Sequence, residues 1–207
     1  GKTSSLDEVV TIEKLPNLIQ KDLSGSIVYY DGQFNDARLA LNLAQTAIEQ
    51  GATVLNYMKV VELIKDTKGL LIGVMVQDIE TKRNYKILSK VVLNATGVFS
   101  NKVMALDGSK NDDLKIVTSQ GVHLVLDASF LGGKDALMIP ETKDGRVLFA
   151  VPWQGKLILG TTDTPVEKSK YEPLATEEEI NFILETAAQY LIKKPTRKDV
   201  LSVFAGL

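Results

Sequence analysis

The sequence predicts an α+β fold made of pieces of two different domains in series. The first observation is a long segment whose apolar residues recur at helical spacing and which ends at a glycine. The second is a set of short apolar segments separated by polar turns, as in a β-meander. The third is a strand-rich second half that contains one long helix. We expect the seam between the two pieces near residues 108–114.

The clearest helix of the first half runs from Asp36 to Gln50. Asn35 or Asp36 fits the N-cap, and Gly51 fits the left-handed residue that follows a helix. The apolar residues at helical spacing are Leu39, Leu43, Ala47 and Ile48. Before this helix we predict a short helix within residues 5–20, broken near Pro16.

Strands precede and follow that helix. Residues 26–30 are rich in strand formers, and we expect this strand to belong with the later sheet. The strands of the meander are predicted at residues 53–57, 59–64, 70–76 and 85–88. Val91–Leu93 then predicts a buried strand that runs into Asn94–Gly97, and a short helix begins near Ser100.

The second half follows a polar loop at residues 109–113. Its strands are predicted at residues 116–126, 136–139, 147–151, 156–161 and 201–207. A capping box at Thr176–Glu179 opens the long helix, and Pro195 closes it. The apolar face of this helix is Ile180, Ile183, Leu184, Ala187 and Leu191. The acidic run Glu177–Glu179 is favoured by the helix dipole, and we assign it no chemistry.

Composition excludes several classes of function. The 207 residues are 44% apolar and 24% charged with a net charge of −2, which is ordinary for a globular protein and gives no basic surface for nucleic acid. The lack of cysteine excludes disulfides and thiolate chemistry, and a single histidine excludes a multi-histidine metal site. Carboxylate sites for Mg²⁺ or Ca²⁺ stay open, but no Asp-rich loop indicates one, so we predict no metal.

No segment approaches the roughly 20 apolar residues that span a bilayer. We therefore expect a cytoplasmic protein, with peripheral attachment to the inner face of the plasma membrane as an alternative. The last segment, Leu201–Leu207, predicts a buried strand, whereas termini are usually polar and frayed. We expect the parent protein to continue beyond Leu207, and a natural stop codon there would contradict this.

Asn94, Ala95, Thr96 and Gly97 form the first candidate binding motif. Small residues at a strand end admit a ligand close to the backbone, and the N-terminus of the next helix favours an anion such as a pyrophosphate. An ordinary strand–turn–helix connection is an equally good interpretation of this segment by itself. The usual partner of such a turn, a G-x-G-x-x-G after the first strand, is absent from this chain.

His123 and Thr162 are the other candidates. His123 lies on an apolar strand with Gly121 on the same face, and a histidine can act as a base or as a donor to a substrate hydroxyl. Thr162 lies in a Thr/Asp turn at a strand end, where its hydroxyl can bind a substrate. A structural histidine and a hydroxyl-rich hairpin are the better interpretations when each motif is taken alone.

Taken together, the motifs resemble the glycerol-3-phosphate dehydrogenase and oxidase family, within the D-amino-acid-oxidase-like flavoproteins. The matching segments occur in the family's order across nearly the whole chain, and Asn35 stands where the family favours an aspartate. These segments are Tyr30–Leu39, Asn94–Gly97, Gly121–His123, Val151–Trp153 and Gly160–Asp163.

The resemblance implies a split FAD-binding domain and a substrate domain built on a mixed β-sheet. Residues 1–30 and 114–207 would belong to the substrate domain, and residues 31–113 to part of the FAD-binding domain. It also implies oxidation of sn-glycerol 3-phosphate to dihydroxyacetone phosphate by hydride transfer from C2 to the flavin. The electrons would pass to a quinone, or to O₂ in the oxidases.

The resemblance further implies roles for particular residues. His123 would lie near the reacting carbon as the proton acceptor, Asn94–Gly97 would lie against FAD, and Val60 would lie near the adenine end. The family strand that matches Leu201–Leu207 continues with Arg-Pro, whose arginine binds the substrate phosphate. Without that arginine and the G-x-G-x-x-G loop, we expect the chain alone neither to hold FAD tightly nor to turn over.

Two other functions stay open at this point. A related flavoprotein acting on a 2-hydroxy acid or an amino acid would lack the phosphate-binding arginine in the sequence that follows Leu207. A non-enzymatic binding domain would be excluded if the full-length protein retained flavin and glycerol 3-phosphate bleached it.

Overall fold

The computed structural model describes residues 1–108, 116–140, 142 and 145–207. The polar loop predicted at residues 109–113, and nearly all of the predicted seam, lie outside the described residues. The chain forms two compact units. Unit 1 comprises Gly1–Tyr30 and Val117–Leu207, and unit 2 comprises Asp31–Ile116.

The described residues contain both helices and strands, so the predicted α+β class is confirmed. In chain order, the helices and strands are β1 (Ser4–Leu6), α1 (Glu8–Lys14), β2 (Ser26–Val28), α2 (Asp36–Glu49), β3 (Met58–Lys65), β4 (Leu71–Asp78), β5 (Asn84–Leu88), α3 (Ser100–Met104), β6 (Thr118–Asp127), β7 (Leu137–Ile139), β8 (Leu148–Trp153), β9 (Lys156–Gly160), β10 (Thr164–Val166), α4 (Glu177–Ala187) and β11 (Ser202–Gly206).

Unit 1 is organised around a six-stranded sheet. Its strands follow the order β10-β6-β9-β8-β7, and β11 also pairs with β6. Every pairing between its described strands is antiparallel, whereas a mixed sheet was expected. The strand expected at residues 26–30 does not join this sheet, because β2 pairs with β1 in a separate two-stranded sheet. β6 is the longest strand and has partners along both edges.

One face of this sheet packs on α4 and forms the core. β6 contributes Val122, Leu124 and Leu126 to that core, all fully buried. All five apolar residues predicted on the helix face are buried, which confirms the amphipathic helix: Ile180, Ile183, Leu184, Ala187 and Leu191. The predicted capping box of Thr176 and Glu179 is present. The helix ends at Ala187, before Pro195, and Leu191 instead bridges to Leu18 beside α1.

Unit 2 contains α2 and the β3-β4-β5 meander. The N-cap of α2 is Asn35, whose side chain accepts from the Arg38 backbone, and Gly51 has a φ of +89° as predicted. The antiparallel meander confirms three of the four predicted strands. The strand predicted at residues 53–57 is wrong, because this segment pairs with no described strand and Tyr57 has a left-handed backbone.

Burial was predicted wrongly from the sequence for two segments. Val91–Leu93 was predicted as a buried strand, but within the described chain it pairs with no strand and Leu93 is 89% exposed. β11 was predicted to be buried, yet its burial alternates and Phe204 is 48% exposed. Among the described residues, no helix combines the length and the apolar character needed to cross a membrane.

Candidate functional site

The second face of the six-stranded sheet carries the candidate site. Side chains alternate along β6, so that Val122 and Leu124 enter the core while Gly121 and His123 lie on the opposite face. This confirms the sequence prediction that Gly121 and His123 share a face. The single histidine of the chain is therefore placed outside the core, on the partly exposed side of the central strand.

A cavity of about 680 Å³ opens on this face of unit 1. Its polar lining includes His123, Arg146, Thr161 and Asp163, and apolar side chains and glycine backbone form much of the rest. A second cavity of about 260 Å³ also borders His123 and is mainly apolar. The larger cavity falls in the size range of small-molecule sites, and a few polar groups in an apolar wall are their usual composition.

The ring of His123 has a defined environment. Its cross-strand partners are Gly160 on β9 and Phe204 on β11. The rings of His123 and Phe204 stack with their centroids 5.0 Å apart and an interplanar angle of 9°. A methyl group built on Gly160 would overlap His123 Cδ2. The imidazole is therefore bounded on both sides, and it borders both cavities.

A bulge lies beside Gly121, where β9 passes into β10. Both strands pair with β6, but His123 is opposite Gly160 while Gln120 is opposite Thr164. Three residues, 161–163, thus face the two residues 121 and 122, so the β9–β10 side carries one extra residue. Within this bulge Thr161 is half-buried and Thr162 is buried.

The Thr162 hydroxyl is hydrogen-bonded to other groups of the protein. Its side chain is 3% exposed, and Oγ1 accepts a hydrogen bond of 3.0 Å from the Val122 backbone N–H. Its own proton is shared between the Gln120 carbonyl oxygen and Glu179 Oε1, each 3.3 Å away. Thr162 still contributes to the wall of the larger cavity. Its predicted role as a substrate ligand stays a prediction, because the hydroxyl already has structural partners.

Glu179 is a buried carboxylate next to this bulge. Its side chain is 6% exposed, and Oε2 accepts from Gln120 Nε2 and from the Thr176 backbone N–H, each at 2.9 Å. Burial by itself raises the pKa of Glu179, but hydrogen bonds from Thr176, Thr164 and Gln120 hold that pKa below its ordinary value. The carboxylate thereby ties the start of α4 to β6 and to Thr162.

We expect Glu179→Ala to lower the free energy of unfolding of unit 1 by about 1–3 kcal/mol at neutral pH, because Gln120 and Thr162 lose a buried partner. The exposed neighbour Glu178 is the matched control, and Glu178→Ala should change stability by no more than about 0.5 kcal/mol. Urea unfolding followed by the fluorescence of Trp153, the only tryptophan, reports on unit 1. Equal losses in the two variants would show that the buried hydrogen bonds of Glu179 do not stabilise unit 1.

The contribution of Glu179 to the free energy of unfolding should depend on pH. Because folding lowers the pKa of Glu179, its contribution is fully present above the unfolded value of about 4.3. It is lost as the pH falls through the lower folded value. The difference in unfolding free energy between the unchanged chain and Glu179→Ala should therefore shrink below about pH 4.

The predicted cofactor-binding residues lie in unit 2. The side-chain oxygen of Asn94 accepts from the Thr96 hydroxyl at 2.8 Å, and Asn94 Nδ2 donates to the Ser100 carbonyl at 3.0 Å. These bonds fix a turn that ends at Gly97, whose φ is +54° and beside which an added Cβ would meet no atom within 4 Å. Val60, on β3, is partly exposed opposite Val76 on β4.

Two residues around His123 were missed by the sequence interpretation. Phe204 was assigned to a buried strand, and its contact with His123 follows from the pairing of β11 with β6. Arg146 lines the larger cavity and its guanidinium carbon lies 5.4 Å from the centroid of the Phe182 ring. Neither residue sits in a motif, so no local signal identified them.

Three comparisons with known proteins identify relatives of this chain. The family model described as FAD dependent oxidoreductase (DAO) matches residues 3–207. The mitochondrial glycerol-3-phosphate dehydrogenase of Saccharomyces cerevisiae is 40% identical over 230 residues, which cover 100% of this chain and 35% of that protein. The chain thus spans about a third of the length of this relative.

Solved structures show the same likeness. The glycerol-3-phosphate dehydrogenase from Bacillus halodurans, complexed with FAD, superposes with a TM-score of 0.89 at 38% identity, over 98% of this chain and 40% of that chain. The L-α-glycerophosphate oxidase from Mycoplasma pneumoniae, with FAD bound, gives a TM-score of 0.78 at 17% identity, over 99% of this chain and 52% of that chain, and shares the fold. Since the family model covers nearly every residue, the chain belongs to the FAD-dependent oxidoreductase family, whose cofactor is FAD.

Proposed function

We propose that the protein containing this chain oxidises sn-glycerol 3-phosphate to dihydroxyacetone phosphate with FAD as its cofactor. In this proposal unit 1 forms the substrate-binding part and unit 2 forms part of the FAD-binding domain. The observation that carries the proposal is the position of His123, which borders a small-molecule cavity in a chain 40% identical to a glycerol-3-phosphate dehydrogenase.

The residues present fit FAD. The turn of Asn94, Ala95, Thr96 and Gly97 is exposed and leaves open space beside Gly97, as close approach of a ligand to the backbone requires. We propose that the turn and Val60 hold the cofactor, which when bound supplies the acceptor for the hydride that leaves C2.

His123 is proposed as the proton acceptor. Oxidation of a secondary alcohol releases the hydroxyl proton as well as the hydride, and a neutral imidazole nitrogen within hydrogen-bond reach can take that proton. Mainly apolar residues of the smaller cavity lie beside the ring. We propose that Thr162 supports substrate binding by shaping the wall beside His123 rather than by donating its hydroxyl.

A quinone is the proposed electron acceptor. The relatives of about 40% identity are named dehydrogenases, and this supports an acceptor other than O₂. An oxidase that uses O₂ is the second candidate, since a glycerophosphate oxidase shares the fold. A quinone-linked enzyme would need access to a membrane surface, and peripheral membrane attachment and the cytoplasmic location predicted from sequence stay predictions.

The proposal is tested with the full-length protein under anaerobic conditions. We expect glycerol 3-phosphate to bleach the visible flavin absorbance, and glycine or lactate to leave it unchanged. A soluble quinone analogue should then restore the absorbance faster than dissolved O₂ does. Bleaching by glycine or lactate alone would contradict the proposed substrate, and faster recovery with O₂ would assign the protein to the oxidases. The 207-residue chain alone, as a control, should purify without flavin.

A further inference from the structure

We propose that Gly160 and Phe204 are positioning residues that together fix the imidazole ring of His123. Because Gly160 has no side chain, it leaves room for the ring, and Phe204 stacks on the ring from the neighbouring strand. For its activity readout the inference rests on the proposed function, but its structural readout is independent of any activity.

The register of the sheet brings the three residues together. His123 lies on β6, directly opposite Gly160 of β9 on one side and Phe204 of β11 on the other. Side chains directly opposite each other in antiparallel strands have Cβ atoms about 4.5–5.5 Å apart and share a face of the sheet. Gly160 and Phe204 are therefore the immediate cross-strand neighbours of the imidazole.

The ring of His123 occupies the space that a side chain at Gly160 would need. If a Cβ is built on Gly160, the three heavy atoms nearest to it all belong to His123. The distances to Cγ and Nε2 are 2.9 Å, and Cδ2 is closer still. Gly160 is not among the glycines with a positive φ, and the atoms that an added Cβ would meet first are those of the imidazole. The alanine methyl group would therefore displace the ring.

Phe204 limits the ring from the other side. The two rings are nearly parallel at 9° with centroids 5.0 Å apart, which is the geometry of an offset stack. Phe204 is also half-exposed and lines the larger cavity, so its side chain is not part of the core. With Gly160 it confines the imidazole to a narrow range of orientations at the cavity.

A structural test uses the single histidine. In the chain labelled with ¹⁵N-histidine, His123 gives the only imidazole signals. We expect Phe204→Leu to move the ring-proton signals downfield, because the stacked aromatic ring no longer shields them, and Gly160→Ala to shift them as well. Gly32→Ala is the matched control, since Gly32 has open space around it and an ordinary φ. Unchanged signals in both test variants would overturn the proposal, whatever the substrate of the protein.

The functional test uses flavin reduction in the full-length protein. Displacement of a reacting group by about 1 Å can cost about 100-fold in rate, so we expect Gly160→Ala to slow flavin reduction by about 10- to 100-fold with little change in KM. In a His123→Ala background, Gly160→Ala should cause no further loss, because the ring that the methyl group displaces is gone. An equal loss in both backgrounds would show that Gly160 acts through the backbone and would overturn the assignment.

The two tests separate the possible failures. If glycerol 3-phosphate does not bleach the flavin, the proposed function fails, while the imidazole signals still decide whether Gly160 and Phe204 hold the ring. If glycerol 3-phosphate bleaches the flavin and neither substitution alters the signals or the rate, the proposed function stands and the positioning role fails.

Discussion

Replacing His123 with asparagine in the full-length protein is expected to lower the rate of flavin reduction by glycerol 3-phosphate by about 10²- to 10⁴-fold. Asparagine keeps a polar side chain at the cavity but cannot accept the hydroxyl proton. The loss should appear in kcat rather than in KM, since the substitution removes a proton acceptor and leaves the cavity wall in place. The rate is measured by anaerobic stopped-flow absorbance of the flavin.

The matched control for His123 is Val125, the next residue on the same face of β6, which is opposite Ile158 and Ser202. Val125→Ala should leave the rate close to that of the unchanged protein, because Val125 is not among the residues that line either cavity. Both variants should retain bound flavin. A rate for His123→Asn within a factor of about ten of the unchanged protein would contradict the role of proton acceptor.

Ile183→Ala is expected to destabilise unit 1 by about 2–5 kcal/mol, the usual cost of a cavity left by a large core residue. Ile183 is fully buried on the face of α4 that packs on the sheet, and it belongs to the same core as Leu124 and Leu159. A loss of this size is a large part of the stability of an ordinary domain. Urea unfolding followed by Trp153 fluorescence measures it.

Two further substitutions show how the loss of stability depends on the size of the truncation and on the burial of the side chain. Ile183→Val removes one methylene and should cost about 0.5–1.5 kcal/mol. Ile192 is 55% exposed beyond the end of α4, and Ile192→Ala should change the free energy of unfolding by no more than about 0.5 kcal/mol. A loss for Ile183→Ala no larger than that for Ile192→Ala would show that α4 does not pack on the sheet as described.

Helices were the part of the fold that the sequence predicted best, since their signals are local. Asn35 and Gly51 mark the ends of α2, and the capping box marks the start of α4, within a few residues of the turns they stabilise. The face of α4 followed from apolar spacing alone. These features depend on residues that are close together in the sequence, so the sequence alone is enough to predict them.

Burial and strand partners could not be predicted in the same way. Val91–Leu93 is as apolar as a core strand, but burial requires a covering surface, and the described chain provides none for Leu93. β1 was missed because its three residues form a strand only through pairing with β2. The order of strands in the main sheet likewise depends on contacts distant in sequence.

The candidate site was predictable only in part, for the same reason. The alternation of β6 places Gly121 and His123 on one face, and the sequence predicted this. Gly160 and Phe204 become neighbours of His123 only through the register of three strands. Glu179 was correctly interpreted as a helix cap, but its bonds to Gln120 and Thr162 connect segments far apart along the chain.

The role proposed for His123 is tested most directly by a crystal structure of the full-length protein with FAD and dihydroxyacetone phosphate bound. We expect a ring nitrogen of His123 within about 2.6–3.2 Å of the C2 oxygen of the product, the range in which a general base transfers a proton. The product should occupy the larger cavity, which His123 and Phe204 both line. A product bound elsewhere, or another side chain in contact with the C2 oxygen in place of His123, would show that His123 is not the proton acceptor.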